Sequence, residues 1–515
     1  MKLQSIVFPS LKELDINELY IKLDRNINIV SDNKVYIVAG GLLDTGTYFN
    51  SFSYKKWFEY TTVEKVRLKG RIEGAYRLEI FERVAVNGSY EEYCILNYEN
   101  SFDQEAIIDL EILPRRSDSM CFVKIEAISD IIVSGMHYWV DEQMNGLIKI
   151  AAAICTYKRE PYIKRNMDII KDRILNNSES ELKDHLDIII VDNGQTLDSG
   201  FEEMQLIKNR NTGGTGGFTR GIIEVLRQKE QKNYTHILLM DDDIDIEPET
   251  FERMYSLLSL LKENYRESFI GGAMLRRDEP YIQEEAGATW DGILHPQGKE
   301  LDLRKAECIL KNDEIYPVDY NAWWFCCIPV SEIGLDNLPL PFFIHCDDME
   351  YGLRNAKSWI LLNGICVWHE VAAARKNIIR DYYDVRNFMV LNILYDKKGY
   401  SRWQMTIALI RRLAAGLLLP KLSFSMRVNA MKDFFRGIEW WEKQEIDILH
   451  QRVNSEKGKA KVTDMISVCF TVLFFPLVYG KYYDDYHKKW RTLAEEEYWN
   501  KYSCLPQKSE MKGKE

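Results

Sequence analysis

IKIAAAICTY, Ile148–Tyr157, is the stretch on which the reading of this chain turns. Apart from Lys149 it is apolar without alternation as far as Cys155, the mark of a strand buried on both faces rather than one with a wet side. NMDIIKDRILNN, residues 166–177, then reads as a helix, LDIIIVDNG (186–194) as a second buried strand, GGFTRGIIEVLRQK (216–229) as a second helix and HILLMDDD (236–243) as a third strand. Strands alternating with helices predict a doubly wound, mostly parallel α/β sheet with a crevice at the carboxyl ends of its strands. Those ends are polar: Thr156 and Arg159, Asp192 and Asn193, Asp241 to Asp243. They should converge on that crevice.

Outward from this centre the patterning changes. Residues 1–145 hold short alternating segments, among them NKVYIVAGG and YRLEIFERVAVNG, with a tight turn at Asn87-Gly88, and predict an antiparallel β-sandwich or barrel. Tyr48, Phe49, Tyr54, Trp57 and Phe58 crowd one part of it, as core, as domain interface or as a sugar-stacking surface. Residues 146–385 form the α/β unit, and residues 386–515 read as helical, ending in a polar tail, PQKSEMKGKE, of disordered composition.

The formal charge of −12 over 515 residues argues against a chain that wraps nucleic acid. Ten cysteines without CxxC spacing suggest a reducing compartment and no zinc site. The N-terminus carries no signal-peptide core, which predicts a cytoplasmic protein. ISVCFTVLFFPLVY (466–479) is short of a spanning helix and contains Pro476. It reads either as a core helix or as a segment dipping into one leaflet, and MTIALIRRLAAGLLLPKL (405–422) either as a packing helix or as one lying on a membrane. Peripheral contact with the inner face of a cell membrane and a homo-oligomer are both compatible with the sequence.

Asp241 and Asp243, two residues apart in an extended segment, can point to one side while Asp242 points away. Hard carboxylate oxygens suit Mg²⁺ or Mn²⁺; the same residues also suit a helix start before EPETFERMYSLL. In NRNTGGTGGFTRG, residues 209–221, Gly213, Gly214, Gly216 and Gly217 would let backbone approach an anion at the helix that follows. In VDYNAWWFCCIPV, Trp323 and Trp324 on a strand would face opposite ways, leaving one free for a sugar face. Asp347, Asp348 and Glu350 in PFFIHCDDMEYGLR are candidates for a general base or for helix capping. His369 closes the apolar strand GICVWHE.

In this order the segments ICTYKRE, VDNG, NRNTGGTGGFTRG, MDDDIDIEPE, NAWWFCCIP, IHCDDMEYGLR and VWHE resemble family 2 glycosyltransferases of GT-A fold, specifically the polymerising galactofuranosyltransferases of mycobacterial cell-wall synthesis. The resemblance covers about residues 150–390 and implies an N-terminal β-sandwich and a C-terminal helical domain. It implies that Asp241, Asp243 and His369 hold Mn²⁺ or Mg²⁺, and that Asp348 is the base, with Asp347, Trp323 and Trp324 at the acceptor. Thr156, Arg159, Asp192, Asn211, Gly213, Gly214, Gly216, Gly217 and Asp242 would lie at a UDP-sugar donor. Where the family carries a histidine that contacts the diphosphate, this chain has Asp384 in YYDVRN, with Tyr383 and Arg386 as the alternatives. The implied reaction is inverting transfer of galactofuranose from UDP-galactofuranose to a bacterial glycan or lipid-linked glycan. Another donor, such as a rhamnose or pyranose, is the near alternative; a nucleotidyltransferase or a non-catalytic carbohydrate-binding protein are the distant ones.

Overall fold

The computed structural model of the chain describes residues 1–502 apart from 10–13, 15, 23, 199, 372–377, 418–420 and 457–459. The tail PQKSEMKGKE lies outside the described residues.

Residues from Lys2 to Trp139 build two antiparallel sheets. One contains Ile27–Ser31, Lys34–Ile37, Ile131–Trp139, Val66–Glu73 and Glu105–Ile112, with Lys2–Ser5 also on Ile131–Trp139; the other contains Leu42–Asp44, Met120–Ala127, Tyr76–Val86 and Ser89–Asn100, with Phe52–Ser53 on Met120–Ala127. Asn87 and Gly88 both take positive φ, 47° and 82°, as a two-residue hairpin turn requires. Val86 consequently pairs with Ser89.

The ten-stranded sheet that follows is wound about Ile150–Thr156. Leu186–Asp192 lies parallel on one side of it and His236–Asp241 parallel on the other, so strand order reverses at the centre. In register, Thr156 stands beside Asp192 and Cys155 beside Asp241. Beyond His236–Asp241 the sheet changes character: Phe325–Pro329 runs antiparallel between it and Phe269–Arg276, and Trp359–His369 returns parallel to the latter. The sheet is therefore mixed rather than mostly parallel. Apolar continuity cannot distinguish the two, because either direction buries both faces equally.

Alternate residues of the central strands belong to different cores. Ile150, Ala152 and Ile154 pack with Ile188, Ile190, Leu238 and Met240 against the β-sandwich side, where helices Glu160–Ile170 and Pro248–Leu260 also lie. Ala151 and Ala153 pack with Ile189, Val191, Ile237 and Leu239 against helix Gly213–Lys232 and the C-terminal helices. The period of two along a strand sends one set each way, and with a layer on both sides no wet face remains. Tyr48, Phe49, Tyr54 and Trp57 are fully buried, and Phe49 meets Trp368 at a ring distance of 5.9 Å. These aromatics are core and domain interface, not a sugar-stacking surface.

After Trp359–His369 the chain is helical. ISVCFTVLFFPLVY is broken at Phe474 between helices Val462–Leu473 and Phe475–Lys489, and the chain bends by 93° between Val462–Leu473 and Phe475–Ala494. Among the described residues no single helix is long and apolar enough to cross a membrane. One face of this segment is core, through Val468, Val472 and Phe475, while Ile466, Phe470, Leu473, Phe474 and Leu477 are exposed.

Candidate active site and metal centre

The strand His236–Asp241 delivers its acidic triple at the point of strand-order reversal. Asp242 turns away from its neighbours: its carboxylate accepts from Thr156 Oγ1 at 2.6 Å and from Arg159 Nη1 at 3.0 Å. Arg159 also reaches Asp243 Oδ2 at 2.6 Å. Burial pulls the Arg159 guanidinium down, and Asp243, Asp242 and Asp241 outweigh it.

His369, from the end of Trp359–His369, brings Nε2 to 3.2 Å from Asp243 Oδ1 and 3.8 Å from Asp241 Oδ2. One ligand atom each from Asp241, Asp243 and His369 fits within 4.8 Å of the others, the chemistry of a hard divalent cation site. Burial and the neighbouring Asp243 push the Asp241 carboxyl up to about 6, although its side chain is still 35% exposed toward the crevice. A dication would relieve that repulsion. The donor set fits Mn²⁺ or Mg²⁺.

No local motif marks the groups that hold this triple in place. Asn166 Nδ2 donates to the carbonyls of Asp242 and Ile244 at 3.0 and 2.9 Å, and Arg277 Nη2 to the Asp243 carbonyl at 2.7 Å. Asp245 is gripped by Arg277 Nε at 2.6 Å and Arg165 Nη1 at 2.5 Å. Arg277 was invisible because its role depends on a sheet partner rather than on a local motif.

The second carboxylate pair opens helix Asp347–Asn355. Phe343, His345 and Cys346 before it all have positive φ, 76°, 65° and 69°, a strained run for non-glycine residues. YYDVRN restrains it. Arg386 Nη2 donates to the Phe342 carbonyl at 2.8 Å, and Asn387 Nδ2 to those of Ile344 and His345 at 2.9 and 2.8 Å. Asp347 Oδ2 accepts from Thr215 Oγ1 at 2.6 Å. Asp348 accepts from the Met349 N–H at 2.8 Å and from Tyr320 Oη at 3.2 Å. Burial first, then Asp347 and Glu285, hold the Asp348 carboxyl well above the usual range. Glu285, absent from the sequence reading, is 6% exposed, leaves Oε1 without a partner among the described residues and is pushed by burial up to about 7. Cys155 stands beside Asp241 in register and packs against Gly217, two residues from the Thr215 that holds Asp347, so the start of helix Gly213–Lys232 links the two acidic clusters.

Several candidates are placed elsewhere. Trp323 and Trp324 lie in a turn before Phe325–Pro329, not on the strand. Trp323 is buried between Phe218 and Tyr351, while half-buried Trp324 donates Nε1 to the Gly272 carbonyl at 2.8 Å. Tyr383 is fully buried beside Phe343, and Arg386 is 2% exposed under the loop it holds, so neither is an open diphosphate contact. Both oxygens of Asp192 accept loop N–H groups, from Gly194 at 2.9 Å and Leu197 at 2.8 Å. Three of the four glycines are required for close packing. A Cβ at Gly213, whose φ is 77°, would lie 2.1 Å from the Phe343 carbonyl oxygen, and one at Gly217 2.0 Å from Cys155 Sγ. Gly216 is likewise filled by Thr212, whereas Gly214 meets open space. Asn211 Oδ1 accepts the Gly213 N–H at 3.1 Å, shaping the loop.

Residues 3–139 match the family described as galactofuranosyltransferase 2 N-terminal. The galactofuranosyltransferase GlfT2 of Mycobacterium tuberculosis is 25% identical over 441 residues, 76% of this chain and 65% of that protein. GlfT2 of Mycolicibacterium smegmatis is 24% identical over 483 residues, 85% of this chain and 71% of that protein. This chain thus spans about two thirds of the length of these relatives. A mannosyltransferase from Pyrobaculum calidifontis, solved with GDP-Man and Mn²⁺, shares 10% identity over 69% of this chain and 90% of its own, with a TM-score of 0.29, too slight a likeness to argue from. By sequence, the chain resembles the galactofuranosyltransferases of the GlfT2 kind over at least 76% of its length, and its β-sandwich matches their N-terminal family.

Proposed function

We propose that the chain is an inverting, metal-dependent glycosyltransferase of GT-A fold, divided at about residues 145 and 385, that transfers galactofuranose from UDP-galactofuranose to a bacterial cell-surface glycan. The observation that carries this reading is the Asp241–Asp243–His369 ligand set, linked to the Asp347–Asp348 pair through Cys155 and the start of helix Gly213–Lys232. Those three residues would hold Mn²⁺ or Mg²⁺, whose charge would offset the negative charge that builds on departing UDP. Asp242, fixed by Thr156 and Arg159, orients the turn that carries the ligands. Arg159, with Asn211 and Gly214 at the helix start, faces the donor side.

On the acceptor side Asp348 takes the proton of an attacking hydroxyl. That oxygen forms its bond to the anomeric carbon as the bond to the diphosphate oxygen breaks, and UDP leaves with the electron pair. Attack opposite the leaving group inverts the centre. A carboxyl whose affinity for protons is raised by burial and by Asp347 is a stronger base than an exposed aspartate. Asp347, tied to Thr215, and half-buried Trp324 would shape the acceptor pocket, with Glu285 facing a second hydroxyl.

A different nucleotide sugar is the second reading, favoured by Asp384, whose carboxylate is drawn to His345 Nδ1 at 3.2 Å. The exposed stripe on Val462–Leu473 supports peripheral contact with the inner face of the bacterial membrane. The test is transfer and UDP-sugar hydrolysis with Mn²⁺ across a panel of donors, wild type against Asp348→Asn. Turnover confined to UDP-galactofuranose and lost in the variant, with UDP still bound, is expected; wild-type turnover by Asp348→Asn would sink the base assignment, and release of pyrophosphate from a nucleoside triphosphate would sink the class.

A further inference from the structure

A cavity of about 550 Å³ opens against helix Arg402–Leu417, lined by Arg411, Arg412 and Arg427 with Tyr400, Ile407 and Ala408. Its charges do not balance. Arg427 is matched by Asp381 at 3.1 Å. Arg411 and Arg412 form no ion pair, and their side chains donate no hydrogen bond, among the described residues; Arg412 instead stacks over Phe388 at 3.8 Å from the ring centroid. The carboxylate that acts on Arg412 from nearby, Asp384, is engaged by His345. Burial and the like charge of Arg427 lower the Arg412 pKa, yet guanidinium does not give up its proton in proteins, so Arg412 stays charged beside Arg427 and its positive charge favours an anion in the cavity.

Apart from Gln404 and Tyr400 the rest of the wall is aliphatic, and it leads to the surface. Trp403, Ile407 and Ile410 fall on one helical face and are 59%, 49% and 39% exposed. Helix Val462–Leu473 packs on this helix and continues the apolar strip through Phe470, 60% exposed. Two unmatched forked guanidinia fit the several oxygens and double charge of a phosphate monoester better than a single carboxylate. We infer that this cavity binds a phosphate carried by an apolar chain, a lipid phosphate, with Arg411 and Arg412 on the phosphate and Ile407 and Ala408 on the chain. The inference does not depend on which sugar the enzyme transfers.

Calorimetric titration of the full chain with decyl phosphate, inorganic phosphate and decanol tests it, alongside flotation with phosphatidylcholine vesicles with and without phosphatidic acid. Saturable one-to-one binding of decyl phosphate is expected, at least about tenfold tighter than inorganic phosphate, with no binding of decanol. Arg411→Gln/Arg412→Gln should weaken decyl phosphate by at least about tenfold without moving the unfolding midpoint. The exposed single change Arg411→Gln keeps the test open if the double variant fails to fold, and it too should weaken binding. Decanol binding as tight as decyl phosphate, undiminished binding by the arginine variants, or binding to phosphatidic acid vesicles with none to monomeric decyl phosphate would overturn the inference.

Discussion

Replacing Thr215 by valine keeps the shape of a fully buried side chain while deleting the hydroxyl that donates to Asp347 Oδ2 at 2.6 Å. The acceptor is a carboxylate 8% exposed, so the loss falls in the range for a hydrogen bond to a charged group, about 1.5–3 kcal/mol. At an unfolding entropy of about 2.1 cal/mol/K per residue, or about 1.1 kcal/mol/K for 515 residues, this lowers the unfolding midpoint by only about 1–3 °C. If the whole loss is expressed in the transition state, transfer slows by about 10- to 150-fold.

The hydroxyl pulls the Asp347 carboxyl down against the burial that raises it. Its stabilisation is therefore present while Asp347 is ionised and is lost as pH falls through the pKa of Asp347. The valine variant should differ most from wild type at neutral pH and least in acid. The assay is a double-mutant cycle with Asp347→Ala, read in turnover and in unfolding midpoint. Thr215→Val should add almost nothing once Asp347 is gone. Full additivity, with the valine penalty undiminished in the Asp347→Ala background, would refute the claim that Thr215 acts through this carboxylate.

Asp241→Ala/Asp243→Ala should abolish Mn²⁺-dependent UDP binding by calorimetry, and retention of that binding would place the metal elsewhere. Because burial, Asp347 and Glu285 raise Asp348, kcat/KM should fall with decreasing pH at a value above the ordinary carboxylate range, and Glu285→Gln should move that limb downward; a limb unmoved by the change would show that Glu285 does not face the base. Asn387→Ala removes the donors to the Ile344 and His345 carbonyls and should reduce turnover by about tenfold or more while leaving UDP affinity intact. Equal losses in both measurements would mean that the loop serves the donor as well.

Much of the centre was legible because it is local. The uninterrupted apolar strands, the turn at Asn87-Gly88 and the acidic residues at a strand end each follow from a few neighbouring side chains and the period of their element. What the sequence left open depended on packing. Tyr383 and Arg386 sit in a motif next to the site, yet their helix buries them under the Phe342–Cys346 loop, where Tyr383 stacks on Phe343 and Arg386 donates to the Phe342 carbonyl. Trp323 and Trp324 were misplaced because the turn ahead of Phe325 breaks the alternation a strand would impose. Glu285 and Arg277 carry no motif and gain meaning only from their neighbours in space.

By itself, the sequence determined that this chain must build a sheet buried on both faces, because IKIAAAICTY, LDIIIV and HILLM offer no face to water, and that the sheet must carry carboxylates at its strand ends. Only the tertiary structure decided which of those carboxylates lie together and with which partners. Asp243 and His369 are 126 residues apart and Thr215 and Asp347 132 apart. Side-chain contacts at such separations are set by strand order and helix packing, which the free energy of the whole core selects and no local pattern records.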